Sequence, residues 1–325
     1  MRPASPALLL AVLVLAGCGG RQSTLRTDTA PAGRIERLWW VMFAGSAVVC
    51  AVVFVLVLVA VLRARGTRPP SQEDGPGARG LMLFGGAVAP LVVLVALFVL
   101  ILRSLPSTAQ PRPGSASLRI DVVGHDWFWE IRYPDQHVTT ANEIHIPAGE
   151  TVEVHVSTGD VIHSLWVPGL NRKIDTIPAH DNRVLIDARS PGVFRGQCAE
   201  FCGLEHAKMG LLVFVDPPDE FRRWLAGQEK PAAGAGGRGV EAFDLYGCSG
   251  CHTIRGTAAR GRIGPDLTHL ASRTTLAAAS IPNRRGYLAG WILDPQHVKP
   301  GNRMPGSDVN GPDLQVLLDY LGSLR

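Results

Sequence analysis

The stretch GQCAEFCGLEHAKM, residues 196–209, places Cys198, Cys202, His206 and Met209 at successive spacings of four, four and three. Two thiolates, an imidazole and a thioether are soft donors. Zinc accepts the first two kinds but has little use for a thioether. Together they select copper, held ready for one-electron exchange. A disulfide between Cys198 and Cys202 is the competing reading in an oxidising compartment, but it leaves His206 and Met209 without a purpose. The set needs one more imidazole. The segment TGDVIHSLWVPG offers His163, 35 residues before Cys198.

A second redox pattern lies further on. YGCSGCHTI contains Cys248-x-x-Cys251-His252, the attachment pattern of a covalent haem c, in which two thioethers hold the porphyrin and the histidine is the proximal ligand. A thioredoxin-like dithiol is the alternative, but no βαβ pattern surrounds it. The sixth iron ligand should be a Met or His beyond the motif. Met304, in NRMPG, is the only methionine of this tail, with His269 and His297 as substitutes. IGPDL, residues 263–267, resembles the proline segment of class I cytochromes c, and the likeness covers about 240 to 324.

Rigid elements must position both sets. From residue 118 to about 214, short alternating runs (LRIDVVG, FWEIRY, NEIHIPAG, TVEVHVSTG, RVLIDA, VFRGQC, LLVFVD) are separated by Gly, Pro and Asp. About seven strands at this spacing predict a β-sandwich. FRRWLAGQ predicts a short closing helix, and PAAGAGGRG, residues 231–239, a flexible linker. Helical spacing resumes in GVEAFDLYG, LAGWILD and DLQVLLDYLGSL. The tail, 240–325, is therefore a small all-α domain, and the sandwich occupies 113–230.

Residues 38–62 and 80–102 are uncharged apolar runs of 25 and 23 residues. Each exceeds the roughly 20 residues that span hydrocarbon. They predict a transmembrane hairpin over 34–105, with Trp39 and Trp40 at an interface. Cys50 lies in mid-span and reads as packing. MRPASPALLLAVLVLAGC, residues 1–18, has the form of a secretory signal. Its end resembles the lipobox of bacterial lipoproteins, which implies a lipid on Cys18 and an N-terminus outside the cell. Two crossings then leave the rest of the chain extracytoplasmic too.

GQCAEFCGLEHAKM with the upstream DVIHSLWVP resembles the copper A centre of cytochrome c oxidase subunit II. The likeness runs from the membrane hairpin to about Trp224. The fused haem motif makes it a caa3-type subunit: hairpin, cupredoxin-like sandwich and cytochrome c domain. By this resemblance Cys198 and Cys202 bridge two coppers, and His163 and His206 cap one each. Met209 and the Glu200 carbonyl are weak ligands, and the Glu200 side chain is placed to hold magnesium against subunit I. GHDWFWEIRY, residues 124–133, resembles the family's aromatic segment, which implies electron entry at Trp127. Strand alternation puts Phe128 on the face opposite Trp127 and Trp129, so at least one ring belongs to the core. The resemblance implies subunit I, with haem a, haem a3 and copper B, and subunit III as partners. It implies a cytochrome c or a bc-type complex as donor, and oxygen as acceptor at subunit I. The electron-input subunit of a nitric oxide reductase and a membrane-tethered electron carrier are the alternatives. One feature departs from the family: GLMLFGGAVAP, opening the second span, lacks the usual proton-channel glutamate.

The formal net charge of +4 over 325 residues gives no sign of nucleic-acid binding. The charge is uneven, however: net +7 over 1–117, −6 over 118–230 and +3 over 231–325. That split predicts a transient, salt-sensitive contact between the copper and haem domains.

Overall fold

The computed structural model describes residues 20, 22–64, 76–104, 116–232 and 237–325. Cys18 and residues 233–236 of the expected linker lie outside them. The chain divides into two compact units, Gly33–Ala109 and the remainder.

The first unit is helical. α1 (Ala30–Ala64) and the α2–α3 segment each carry a span of 18 or more apolar residues, long enough to cross a membrane. α2 (Pro76–Leu83) passes through a π-helical turn, Phe84–Val88, into α3 (Ala89–Ser104). Pro90 explains the turn. It has no N–H to donate and its ring crowds the preceding carbonyls, so the helix widens by one residue and the Ala89 N–H reaches Phe84 O instead.

The second unit begins its ordered core with a sandwich. One sheet has the order β3-β2-β1-β5-β8 and the other β4-β10-β9-β6-β7. In chain order the strands are β1 (Leu118–His125), β2 (Phe128–Tyr133), β3 (Val138–Ala141), β4 (Glu143–Pro147) and β5 (Val152–Thr158). They continue as β6 (His163–Trp166), β7 (Ile174–Thr176), β8 (Asn182–Ile186), β9 (Gly192–Cys198) and β10 (Gly210–Asp216). β1 runs parallel to β5 and β10 parallel to β4; the other pairs are antiparallel. Alternating residues such as Ile120 and Val122, or Trp129, Ile131 and Tyr133, are fully buried between the sheets. Each such side chain contributes about 1.5–3 kcal/mol relative to exposure. Of the three aromatics at 127–129, Trp129 is the fully buried core ring, and Trp127, just before β2, packs partly against the same cluster. α4 (Pro218–Gln228) closes the sandwich, with Pro at its first turn and Asp219 and Glu220 at its positive end.

The haem-motif half has its own core, built on α5 (Arg238–Leu245), α6 (Arg285–Leu293) and α8 (Gly311–Ser323), with the short α7 (Pro295–Val298) between the last two. The Asn310 side chain caps α8 by accepting the Asp313 N–H at 3.0 Å. Ala232, expected in the linker, is packed into this core and donates its N–H to Arg255 O. The tail is not purely helical. A small hairpin, β11 (Thr275–Leu276) and β12 (Ile281–Pro282), interrupts it.

The two halves of this unit meet through buried groups. Glu143 of β4, Lys299 and Arg273 are each at most 9% exposed. Screening acts weakly on pairs withdrawn from water. The transient contact expected from net charge is therefore replaced by a packed one, because local hydrogen bonds outweigh the long-range charge difference.

Candidate metal centre and haem site

His163 opens β6 and Cys198 ends β9, on neighbouring strands where Leu165 pairs with Cys198. Residues 199–209 then loop out and return as β10, closed by Cys198 N–H to Met209 O at 2.9 Å. A rigid sheet thus holds two donors, and a loop tied at both ends brings the rest. Cys198 Sγ and Cys202 Sγ are 3.7 Å apart. Cys198 Sγ lies 3.9 Å from His163 Nδ1 and 3.1 Å from Glu200 O. Cys202 Sγ lies 3.6 Å from His206 Nδ1 and 3.8 Å from Met209 Sδ. The sulfur–sulfur distance is well beyond the ~2.05 Å of a disulfide. Two donors sharing one tetrahedral soft ion at roughly 2.0–2.3 Å sit on the order of 3.5–3.8 Å apart. The donor set therefore fits a compact metal centre, and all six sequence-predicted residues come together.

The electrostatics agree. The first proton of the thiol pair leaves easily: the hydrogen bond from Cys202, then that to His163, holds the Cys198 thiol far below its usual range. Burial lowers the His163 imidazole, but the Asp160 carboxylate and Cys198 outweigh it and lift it to about 9. Asp160 is a residue the sequence reading missed. Its Oδ1 sits 2.8 Å from His163 Nε2, and the Asp126 and Val161 N–H groups donate to its carboxylate at 2.8 Å each. Burial raises Asp160, yet His163 and these donors bring it down to about 2. A carboxylate behind the imidazole sets which nitrogen faces the metal. The DVIH spacing was the available signal for it.

Two glycines make room. A Cβ on Gly124 would lie 2.6 Å from His163 Cδ2. Gly203, at φ +111°, takes a conformation that side chains disfavour, and a Cβ there would press on the Trp127 ring at 3.0 Å. Trp127 precedes β2, so strand alternation does not govern it. Its indole N–H donates to Cys202 O at 2.8 Å. The Glu200 carboxylate turns away from the sulfurs, 47% exposed, 3.8 Å from Lys173 Nζ.

The second site is a cavity whose lining includes Cys248, Cys251, His252 and Met304 together with Trp127 and Phe128. His252 Nδ1 donates to Pro265 O at 2.7 Å, which leaves Nε2 for a ligand, and burial pushes the imidazole below its ordinary range. His269 and His297 do not line the cavity; His269 Nε2 is taken by Lys230 O. Arg273 does line it, buried, with its Nε unpartnered among the described residues. Its Nη2 donates to Asp266 O, and a guanidinium with a buried N–H still unpaired in a largely apolar cavity fits a cofactor that carries carboxylates, as haem does.

Comparison with known proteins decides the family. The chain is 32% identical to cytochrome c oxidase subunit 2 of Alkalihalophilus pseudofirmus, over 96% of this chain and 94% of that one. It belongs to the cytochrome c oxidase subunit II family. The Bacillus subtilis subunit 2 is 28% identical over 98% of this chain and 96% of its own. Residues 136–215 match the family "Cytochrome C oxidase subunit II, periplasmic domain", and residues 237–325 match "Cytochrome c". The crystal structure of the periplasmic domain of subunit II of cytochrome oxidase from Bradyrhizobium japonicum covers 37% of this chain and 97% of its own, at 31% identity and a TM-score of 0.35. The chain is thus an oxidase subunit with a cupredoxin-type domain and a fused cytochrome c domain. These two domain types imply a copper A centre and haem c. The two apolar helices fit a membrane-anchored subunit with extracytoplasmic domains.

Proposed function

We propose that this is the electron-input subunit of a caa3-type oxidase, and that electrons from an external cytochrome c or bc-type complex pass through haem c and copper A to haem a of subunit I. The bound copper pair and haem supply one-electron carriers; the chain's residues hold and orient them. The Cys198 and Cys202 thiolates and the His163 and His206 imidazoles would hold the copper pair, with Met209 and the Glu200 carbonyl as weaker donors. Cys248 and Cys251 would attach the haem, His252 and Met304 would supply its two iron ligands, and Arg273 would meet its carboxylates. Trp127 carries electrons to copper A, and Asp160 orients His163. The Glu200 side chain holds magnesium where subunit I meets this chain, subunit III completes the assembly, and Cys18 carries lipid. The haem and copper domains are 240–325 and 113–230, joined by the linker and anchored by the hairpin of 34–105 in the bacterial cell membrane.

One observation carries the reading. Trp127 forms part of the cavity wall around the haem motif and also donates to Cys202 O at 2.8 Å, so a single side chain touches both sites. Its test starts with the metal. Cys198→Ser or His206→Ala is expected to lose the copper pair and keep the haem, measured as copper per haem c and by the copper EPR signal. Two coppers retained with an unchanged signal would refute the ligand assignment.

A further inference from the structure

The haem-side hairpin makes contacts that no ligand set requires. Glu143 opens β4, the edge strand of the second sheet, and is 3% exposed. Its Oε1 accepts four hydrogen bonds, from Thr274 N at 2.8 Å, Thr274 Oγ1 at 2.6 Å, Thr275 N at 3.0 Å and Thr275 Oγ1 at 3.1 Å. All four donors come from the other domain. A buried carboxylate without such donors would be strongly destabilising. This one is satisfied only while the hairpin sits on it.

The turn of the same hairpin is strained. Ala277, Ala278 and Ala279 have φ of 51°, 56° and 57°, left-handed values that a Cβ disfavours, three in succession. Such backbone persists only where surrounding contacts over-determine it. Here the contacts lie in the copper domain. Ala278 O accepts the Gly210 N–H at 3.0 Å, next to Met209, and Ala279 O accepts Arg195 Nη1 at 3.0 Å. Ser280 Oγ donates to Lys208 O at 3.3 Å. Thr275, Leu276, Ala277 and Ala278 also line the haem cavity. On its other flank, buried Lys299 donates to Trp127 O at 2.7 Å. The hairpin therefore joins the wall of the haem cavity to the strand that follows the copper loop.

We propose that residues 274–280 are a docking clip, latched on Glu143, that holds the haem domain in a standing position over Trp127. Electrons then cross between haem c and copper A without an encounter step. Glu143 is a positioning residue: it touches neither cofactor. The inference rests on the electron-input reading above, and its test separates the two.

The experiment uses the assembled oxidase. Copper per haem c and the copper EPR signal come first; a loss there in the unmutated protein would count against the electron-input reading itself. Haem c is then photoreduced and its electron transfer to copper followed at about 20 mM and about 500 mM salt, which brackets weak and strong screening. The unmutated rate is expected to be independent of salt. Glu143→Ala is expected to slow the transfer roughly tenfold or more and make it salt-dependent, with the copper signal unchanged. Glu143→Gln keeps an acceptor oxygen and should retain most of the rate. If Glu143→Ala does not accumulate, T274V/T275V removes two of the four donors and is judged in the same way. A variant rate equal to the unmutated one at both salts, or an unmutated rate that itself varies with salt, overturns the clip.

Discussion

At the scale of single residues, chemistry is set by what stands behind each proposed ligand. Asp160 lies behind His163 at 2.8 Å, and Pro265 O behind His252 at 2.7 Å. Each bond leaves one ring nitrogen for the metal side. Met304 occupies the position where loss is most easily read. It lines the cavity with Cys248, Cys251 and His252, while the two substitute histidines do not. A thioether axial ligand raises a haem potential. Met304→Leu is therefore expected to keep covalent haem, seen as an unchanged haem content after denaturation, but to lower its midpoint potential in a redox titration. An unchanged potential would mean that another group is the sixth ligand.

At the scale of elements, the strands act as spacers. β1 leaves room for His163 only because Gly124 has no side chain; a Cβ would stand 2.6 Å from the ring. Gly124→Ala should push the imidazole away and broaden or shift the copper EPR signal, with the haem spectrum intact. An unperturbed signal would show that the ring is free to move. β2 is held differently. Glu130 receives His125 Nε2 at 3.1 Å and Arg132 Nε at 2.8 Å. Burial raises its carboxyl, but His125 first and then Arg132 outweigh this and bring it to about 2, from an ordinary 4.5. The folded form thus gives up its proton more readily than the unfolded one. The stabilisation is complete above about pH 4.5 and is lost as pH falls towards 2. Glu130→Gln should flatten the acid limb of the stability curve in that window, followed by chemical denaturation at several pH values. The same slope in both proteins would remove Glu130 from the account.

At the scale of the whole molecule, the haem half covers Trp127. Truncation after Lys230 removes that cover, exposes Glu143 and leaves every proposed copper ligand in place. The truncated subunit is expected to keep its copper signal and to be reduced more slowly by the physiological donor in stopped flow. An added soluble cytochrome c should restore part of the rate, because Trp127 is then open. Equal rates before and after truncation would mean that the donor docks directly beside Trp127 and the tail is not the entry point.

Sequence by itself determined what is local. The copper loop, the haem motif, both apolar spans and seven strands follow from spacing, because ligands on one short loop and residues on one strand are placed by the chain itself. It missed β3, β6 and β7, which have only three or four residues, too few to show alternation. It also missed β11 and β12, two residues each within a helical tail. Net charge suggested a loose contact between the two redox domains, since a sum of charges carries no information about which groups are buried against each other. Arg273 in the haem cavity, Trp127 between the two sites and Glu143 under Thr274 and Thr275 are placements that bring distant or separately folded segments together. Only tertiary packing, which buries a polar group beside a particular partner, could decide them.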